Sequence, residues 1–239
     1  MLVAAAVCPC PPLLVPEIAA GAAPELDAVR EACADALDVL ATARPDLLIV
    51  VGPAAHAGRG PHSEGATATF RGFGVDLGVR LGRGPGPVAA ADRSLPPSLA
   101  VGAWLLAQAR WKAAPVEGLG VGEPLETERC VATGRDLAAR ADRVALLVMG
   151  DGSACRTLKA PGYLDERAEA FDAAAARALG AADPAALIAL DESLAHELMA
   201  AGRAPWQVLA GAAEGADLSG RLLYEDAPYG VGYMVAAWS

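Results

Sequence analysis

Three short apolar runs constrain this chain more than any other feature: "MLVAAAV" at 1–7, "DLLIVVGP" at 46–53 and "RVALLVMGDG" at 143–152. Each packs small or branched apolar residues without alternation and stops at proline or glycine. That pattern belongs to a strand buried on both faces, as in a parallel sheet sandwiched between helices. Between the first two lies "PELDAVREACADALDVLATA", where Leu26, Val29, Cys33, Leu37 and Leu40 recur at three- and four-residue steps until Pro45 ends the pattern. The first two runs and this helix read as a β-α-β unit, which predicts a parallel strand pair with a right-handed crossover.

The remainder repeats this alternation. "GRGPHSEGATATFRGFGVDLGVRLGRGPGP" is rich in glycine, with a weak alternation around Val75, Leu77, Val79 and Leu81, and predicts a loop with an edge strand or hairpin. Pro96 and Pro97 open a helix through "SLAVGAWLLAQARW", "PVEGLGVG" reads as a strand, and "ETERCVATGRDLAARAD" as a helix. Further helices are expected around Asp165–Leu179, from the Asp183-Pro184 start, and over "APWQVLAGAAEGA"; "RLLYED" and "GVGYMVAAWS" close the chain as strands. The expected architecture is α/β: a single three-layer α/β/α domain over residues 1–239, with a mixed, largely parallel central sheet. Neither an internal repeat nor a composition break marks a linker.

Charge narrows the function classes. A formal net charge of −10 repels phosphate backbones and anionic headgroups, so neither nucleic acid nor a membrane is an expected partner. The opening run lacks a basic leader and is broken by Pro9, Pro11 and Pro12, which suits neither a signal peptide nor a spanning helix and points to the cytoplasm. Five cysteines, an odd number without the dense spacing of a small secreted scaffold, are expected as reduced thiols. Cys33 and Cys130 fall within helical patterns as small buried hydrophobes.

In doubly layered sheets, ligands collect beyond the carboxyl ends of the strands. The first strand ends at Cys8 and Cys10, the second runs into His56 and His62, the "LLVMG" strand runs into Asp151 and Cys155, and "RLLYED" delivers Glu225 and Asp226. Cys10, His56 and Glu225 offer thiolate, imidazole and carboxylate, a set competent for a divalent metal, although Cys-X-Cys without a second pair is not diagnostic. Asp151 and Cys155 are the candidates for chemistry beside it. His62 in its glycine- and proline-rich loop reads as solvated, or alternatively as a substrate contact, and His196 as a solvent-facing helix residue. A Cys8–Cys10 disulfide would close a very tight ring. "GDGS" at 150–153 matches no nucleophile elbow or phosphate loop, and the glycines of "YGVGY" read as close backbone packing between the last two strands.

Taken together, "PCPPLLVPEI", "ARPDLLIVVGP", "GDGS" followed by "APGYLDERAEAFD", and above all "LLYEDAPYGVGYMVA" resemble the catalytic chains of the class III extradiol ring-cleavage dioxygenases. The resemblance runs in order over nearly the whole chain. It implies a single α/β/α domain and, in active members, non-haem Fe(II) held by two His and one Glu, with a further His as acid/base. Carried over by position, the first metal His falls on Cys10, the second on Ala54 with His56 displaced by two residues, the acid/base His near Ala154 and Cys155, and the Glu on Glu225. Three of the four chemical positions are therefore changed.

Two readings follow from the resemblance. One is a non-catalytic or repurposed member that binds a small molecule or a protein through the inherited crevice and needs no cofactor. The other is an enzyme whose altered site, Cys10, His56 and Glu225, holds Fe(II) or Zn(II), assisted by Cys155 or Asp151. Tyr224, Tyr229 and Tyr233 would either line a pocket for a small aromatic ligand or serve as strand packing, and the apolar content permits a homodimer.

Overall fold

The computed structural model describes residues 1–84 and 94–239. The strands are β1 (Leu2–Cys8), β2 (Leu47–Pro53), β3 (Gly60–His62), β4 (Thr67–Thr69), β5 (Gly78–Arg80), β6 (Val116–Val121), β7 (Val144–Met149), β8 (Gly220–Asp226) and β9 (Tyr233–Trp238). The α-helices are α1 (Pro16–Ala19), α2 (Asp27–Thr42), α3 (Pro97–Gln108), α4 (Thr127–Ala138), α5 (Ala168–Ala181), α6 (Pro184–Ile188), α7 (Glu192–Glu197) and α8 (Arg203–Ala212). Seven strands form the main sheet in the order β3-β6-β2-β7-β1-β9-β8, while β4 and β5 make a separate hairpin. Strands β6, β2, β7 and β1 run parallel, and β3, β9 and β8 join antiparallel at the two edges.

The uninterrupted apolar runs are explained by the layers on either side. Along β7, Ala145, Leu147 and Met149 face one core, and Val144, Leu146 and Val148 face the other. The first core takes the buried stripe of α2 (Val29, Cys33, Ala36, Leu37, Leu40) and nearly all of α3. The second takes α4, α5, α6 and α8. Each leucine or valine so buried contributes about 1.5–3 kcal/mol, so no single helix contact decides the fold. The result is the expected three-layer α/β/α arrangement with a mixed, largely parallel sheet.

One expectation about connectivity needs correction. Strands β1 and β2 are not paired to each other; β7 inserts between them and pairs in parallel with both. A β-α-β reading assumes that sequential strands are neighbours, and here β1 pairs with a later strand on each side, β7 and β9. The glycine-rich middle folds as the predicted edge strand and hairpin, β3 and β4–β5, with residues 85–87 of that segment outside the described ones. Helix α7, whose bounds the sequence pattern does not mark, starts where the Asp191 carboxylate accepts from Leu194 N at 2.6 Å. Among the described residues, no helix is long and apolar enough to cross a membrane.

Candidate functional site

Cys8 closes β1 and Met149 closes β7 beside it, and the backbone then turns at both so that Gly150 N donates to Cys8 O at 3.0 Å. One step further, the Cys10 backbone N–H donates to Asp151 Oδ1 at 2.8 Å, and the Cys10 thiol lies 3.7 Å from Asp151 Oδ2 as a donor. Asp151 thus clamps the proline-rich turn. Burial pushes its carboxyl up to about 6, with the two Cys10 donors pulling the other way. The Cys10 thiol is pushed well up by burial, and then by the charge of Asp151 and its hydrogen bond. At neutral pH the pair is therefore a carboxylate accepting from a thiol that keeps its proton. Cys8 is fully buried; contact with Cys33 of α2 and burial push its thiol well up.

Glu123, just beyond β6, stands beside this pair. Its carboxyl is pushed up to about 8, chiefly by burial and to a lesser degree by the charge of Asp151, against the opposing pull of Arg203 and Arg59. Its Oε1 is buried and has no hydrogen-bond partner. Arg203 opens α8 and is 2% exposed, and it donates to the carbonyls of Leu125 (2.6 Å) and Glu123 and to Gln207 Oε1 (3.0 Å). The backbone N–H of Gly202 donates to Asp151 O at 2.7 Å, which ties the start of α8 to the same edge. A cavity of about 650 Å³ opens here, walled by Glu123 and Pro124, by Glu192, Ala195 and His196 of α7, and by Met199, Ala200 and Arg203.

The positions singled out from sequence are not gathered into a metal centre. Cys10 faces Asp151; His56 is exposed at the start of a single 3-10 turn; and Glu225 is exposed on β8 at the sheet edge. Ala54 and Ala154, which the resemblance aligns with two His, are buried methyl groups with no donor to offer. Among the described residues, no three His, Cys, Asp or Glu side chains are placed to hold a metal ion. The donor set does not fit Fe(II) or Zn(II) as the resemblance implies them. Cys155 is buried on the other face of the sheet, its thiol donating to Leu198 O at 3.5 Å, and so is not beside Asp151's partner Cys10. His62 is 4% exposed with Nε2 2.9 Å from Gly58 O, so it is a buried residue of β3 and not a solvated one.

Comparison with known proteins bears on the fold. No protein-family profile and no curated protein matches the chain. Among solved structures, it is similar to the uncharacterized protein JW3007 from Escherichia coli K12, with a TM-score of 0.59 and 17% identity over 99% of each chain. That likeness extends the α/β/α architecture over the full length of both.

A second polar cluster lies outside the positions that the sequence singles out. Asp172 of α5 is 1% exposed and accepts from Ser153 N (2.7 Å), Ser153 Oγ (2.8 Å) and Arg156 (3.2 Å). It organises the loop after β7. Gly232 and Gly152 lie so close to its carboxyl that a Cβ on either would fall 2.4 or 2.6 Å from an Asp172 oxygen. The "YGVGY" glycines therefore pack against this loop and Asp172, and not between the last two strands as expected. The one signal in the sequence is an aspartate set among the apolar residues of "AFDAAAARAL". Glu123 and Arg203 are equally legible in kind, a carboxylate just beyond a strand's carboxyl end and a cation opening an apolar helix, but their meeting is tertiary.

Tyr233 is 2% exposed in the core beside Asp151, the Tyr229 hydroxyl donates to Glu25 Oε2 at 3.0 Å, and Tyr224 is half-buried, with burial and then the charge of Asp226 pushing its hydroxyl up.

Proposed function

We propose that this chain is a divergent, non-catalytic relative of the class III extradiol dioxygenases that binds a small molecule at the carboxyl edge of its sheet. The observation that carries this reading is the Cys10–Asp151 pair. Where the resemblance puts the first iron ligand, a protonated thiol is spent on a neighbouring carboxylate. Ring cleavage in that family also needs an acid/base imidazole, and Ala154 supplies none. What remains at the edge is a pair of half-buried acids, the ionised Asp151 and the proton-holding Glu123, next to an open cavity, which suits recognition by hydrogen bonding and charge.

Oxygen uptake tests this. Protein incubated anaerobically with Fe(II) and then mixed with catechol in air is expected to consume no more oxygen than the same iron solution without protein. Protein- and catechol-dependent uptake that disappears in Glu225→Ala would contradict the reading.

A further inference from the structure

Cations are outnumbered on this chain, 19 against 29 carboxylates, so a place where several meet without a carboxylate calls for a reason. Such a place lies where the end of β5 packs beside the end of α3. A cleft of about 240 Å³ there is lined by Arg80 and Arg83 from one side and by Arg110 and Lys112 from the other. All four residues are exposed, and among the described residues no Asp or Glu lines the cleft with them. None of the four forms an ion pair among the described residues. Arg80 gives one guanidinium N–H to Gly65 O at 3.2 Å, and the carboxylate of Glu64 is taken by the backbone N–H of Arg83 at 3.1 Å.

The backbone under Arg110 is a second observation. Helix α3 ends in a Schellman motif, in which Arg110 N donates to Ala107 O at 3.1 Å and Trp111 N to Leu106 O at 2.9 Å. Arg110 occupies the left-handed position, with φ of 51°, where glycine is the usual residue because a Cβ is strained there. An arginine kept at such a position points to a use for its side chain. The same motif brings Leu106 and Trp111 to the cleft as the apolar part of its lining, and the indole is fixed by Nε1 donating to Ala114 O at 2.9 Å.

We propose that this cleft binds a small phosphate monoester, its phosphate among Arg83, Arg110 and Lys112 and its apolar body on Leu106 and Trp111. Donors arrive from two sides. A phosphate meets them with three acceptor oxygens and about −1.5 to −2 charges on one group, where a carboxylate has two oxygens in a plane and one charge. Guanidinium forks match the phosphate geometry. At ~30 Å³ per water the cleft has room for about eight waters, which suits a ligand of about ten non-hydrogen atoms and no macromolecule. The net charge of −10 agrees, because the pull of four cations fades over a Debye length of ~8 Å and the excess of carboxylates prevails beyond it. Since α3 leads into β6, the cleft lies toward the amino ends of the parallel strands, away from Asp151 and Glu123. The proposal therefore goes beyond the reading of the carboxyl edge and does not rest on it.

Isothermal titration of the full chain at pH 7 compares phenyl phosphate with inorganic phosphate, which lacks the body, and with benzene-1,3-dicarboxylate, which has the ring and the charge without the phosphate. Phenyl phosphate is expected to bind one per chain, at least ~10-fold more tightly than either. Arg110→Gly, which suits the left-handed position, is expected to weaken it ~10-fold or more while the melting temperature holds or rises. Arg83→Ala, on the facing side and outside the helix end, is expected to weaken it by a similar factor. Lys159→Ala removes an exposed cation from the loop after β7 and is expected to leave the affinity as it was. No heat with phenyl phosphate at millimolar concentration, an affinity matched by either of the other anions, unchanged binding by Arg110→Gly or Arg83→Ala, or an equal loss in Lys159→Ala overturns the proposal. Each of these outcomes is independent of the oxygen-uptake experiment.

Discussion

Glu123 is the residue at which burial and function meet. Because its native carboxyl is pushed up to about 8 from an ordinary value of 4.5, the folded protein keeps a proton that the unfolded chain has already lost across that interval. Stability therefore falls as pH rises from about 4.5 to 8 and levels off above it. Asp151 adds the same sign over a lower window, from 3.8 to about 6. Glu123→Gln is expected to flatten the upper part of the fall and to leave the variant more stable than the parent by about 1–2 kcal/mol at alkaline pH, read from urea unfolding at several pH values. Asp172 predicts the opposite. Replacing it by Ala strands the Ser153 N–H, the Ser153 hydroxyl and one Arg156 donor inside the loop after β7, and should cost about 2–4 kcal/mol by the same measurement.

Among elements, the crossing of α4 and α8 sets the position of Arg203. The helices meet through glycine on both sides: a Cβ at Gly134 would sit 2.0 Å from Val208 O, and one at Gly211 would sit 2.1 Å from Val131 O. Backbone cannot yield as a side chain does, so Gly134→Ala or Gly211→Ala should force the helices apart and lower stability by about 2–4 kcal/mol in thermal melts. Gly21→Ala, with open space around it, should change little. This level also explains what is legible in the sequence. The runs at β1, β2 and β7 and the stripe of α2 announce their structure because a strand covered on both faces has no room for polar residues. Strand order is different: β7 enters between β1 and β2 from nearly 100 residues away, and periodicity carries no record of that. The candidate site follows the same division. Cys10 and Asp151 are recognisable as residues at strand ends, whereas their pairing, the seclusion of Cys155 and the meeting of Glu123 with Arg203 depend on which ends the sheet brings together.

At the scale of the whole molecule, the carboxyl edge of the sheet gathers polar side chains, and among the described residues they do not make a metal centre. Methyl groups at Ala54 and Ala154, an exposed His56, an exposed Glu225 and a thiol committed to Asp151 leave that edge to the Asp151 carboxylate, the Glu123 carboxyl and a cavity. Metal content of protein purified without chelators tests this most directly. Elemental analysis is expected to find iron and zinc far below one atom per chain, before and after exposure to Fe(II) and desalting. One tightly held atom per chain, lost in both Cys10→Ala and Glu225→Ala, would contradict the account.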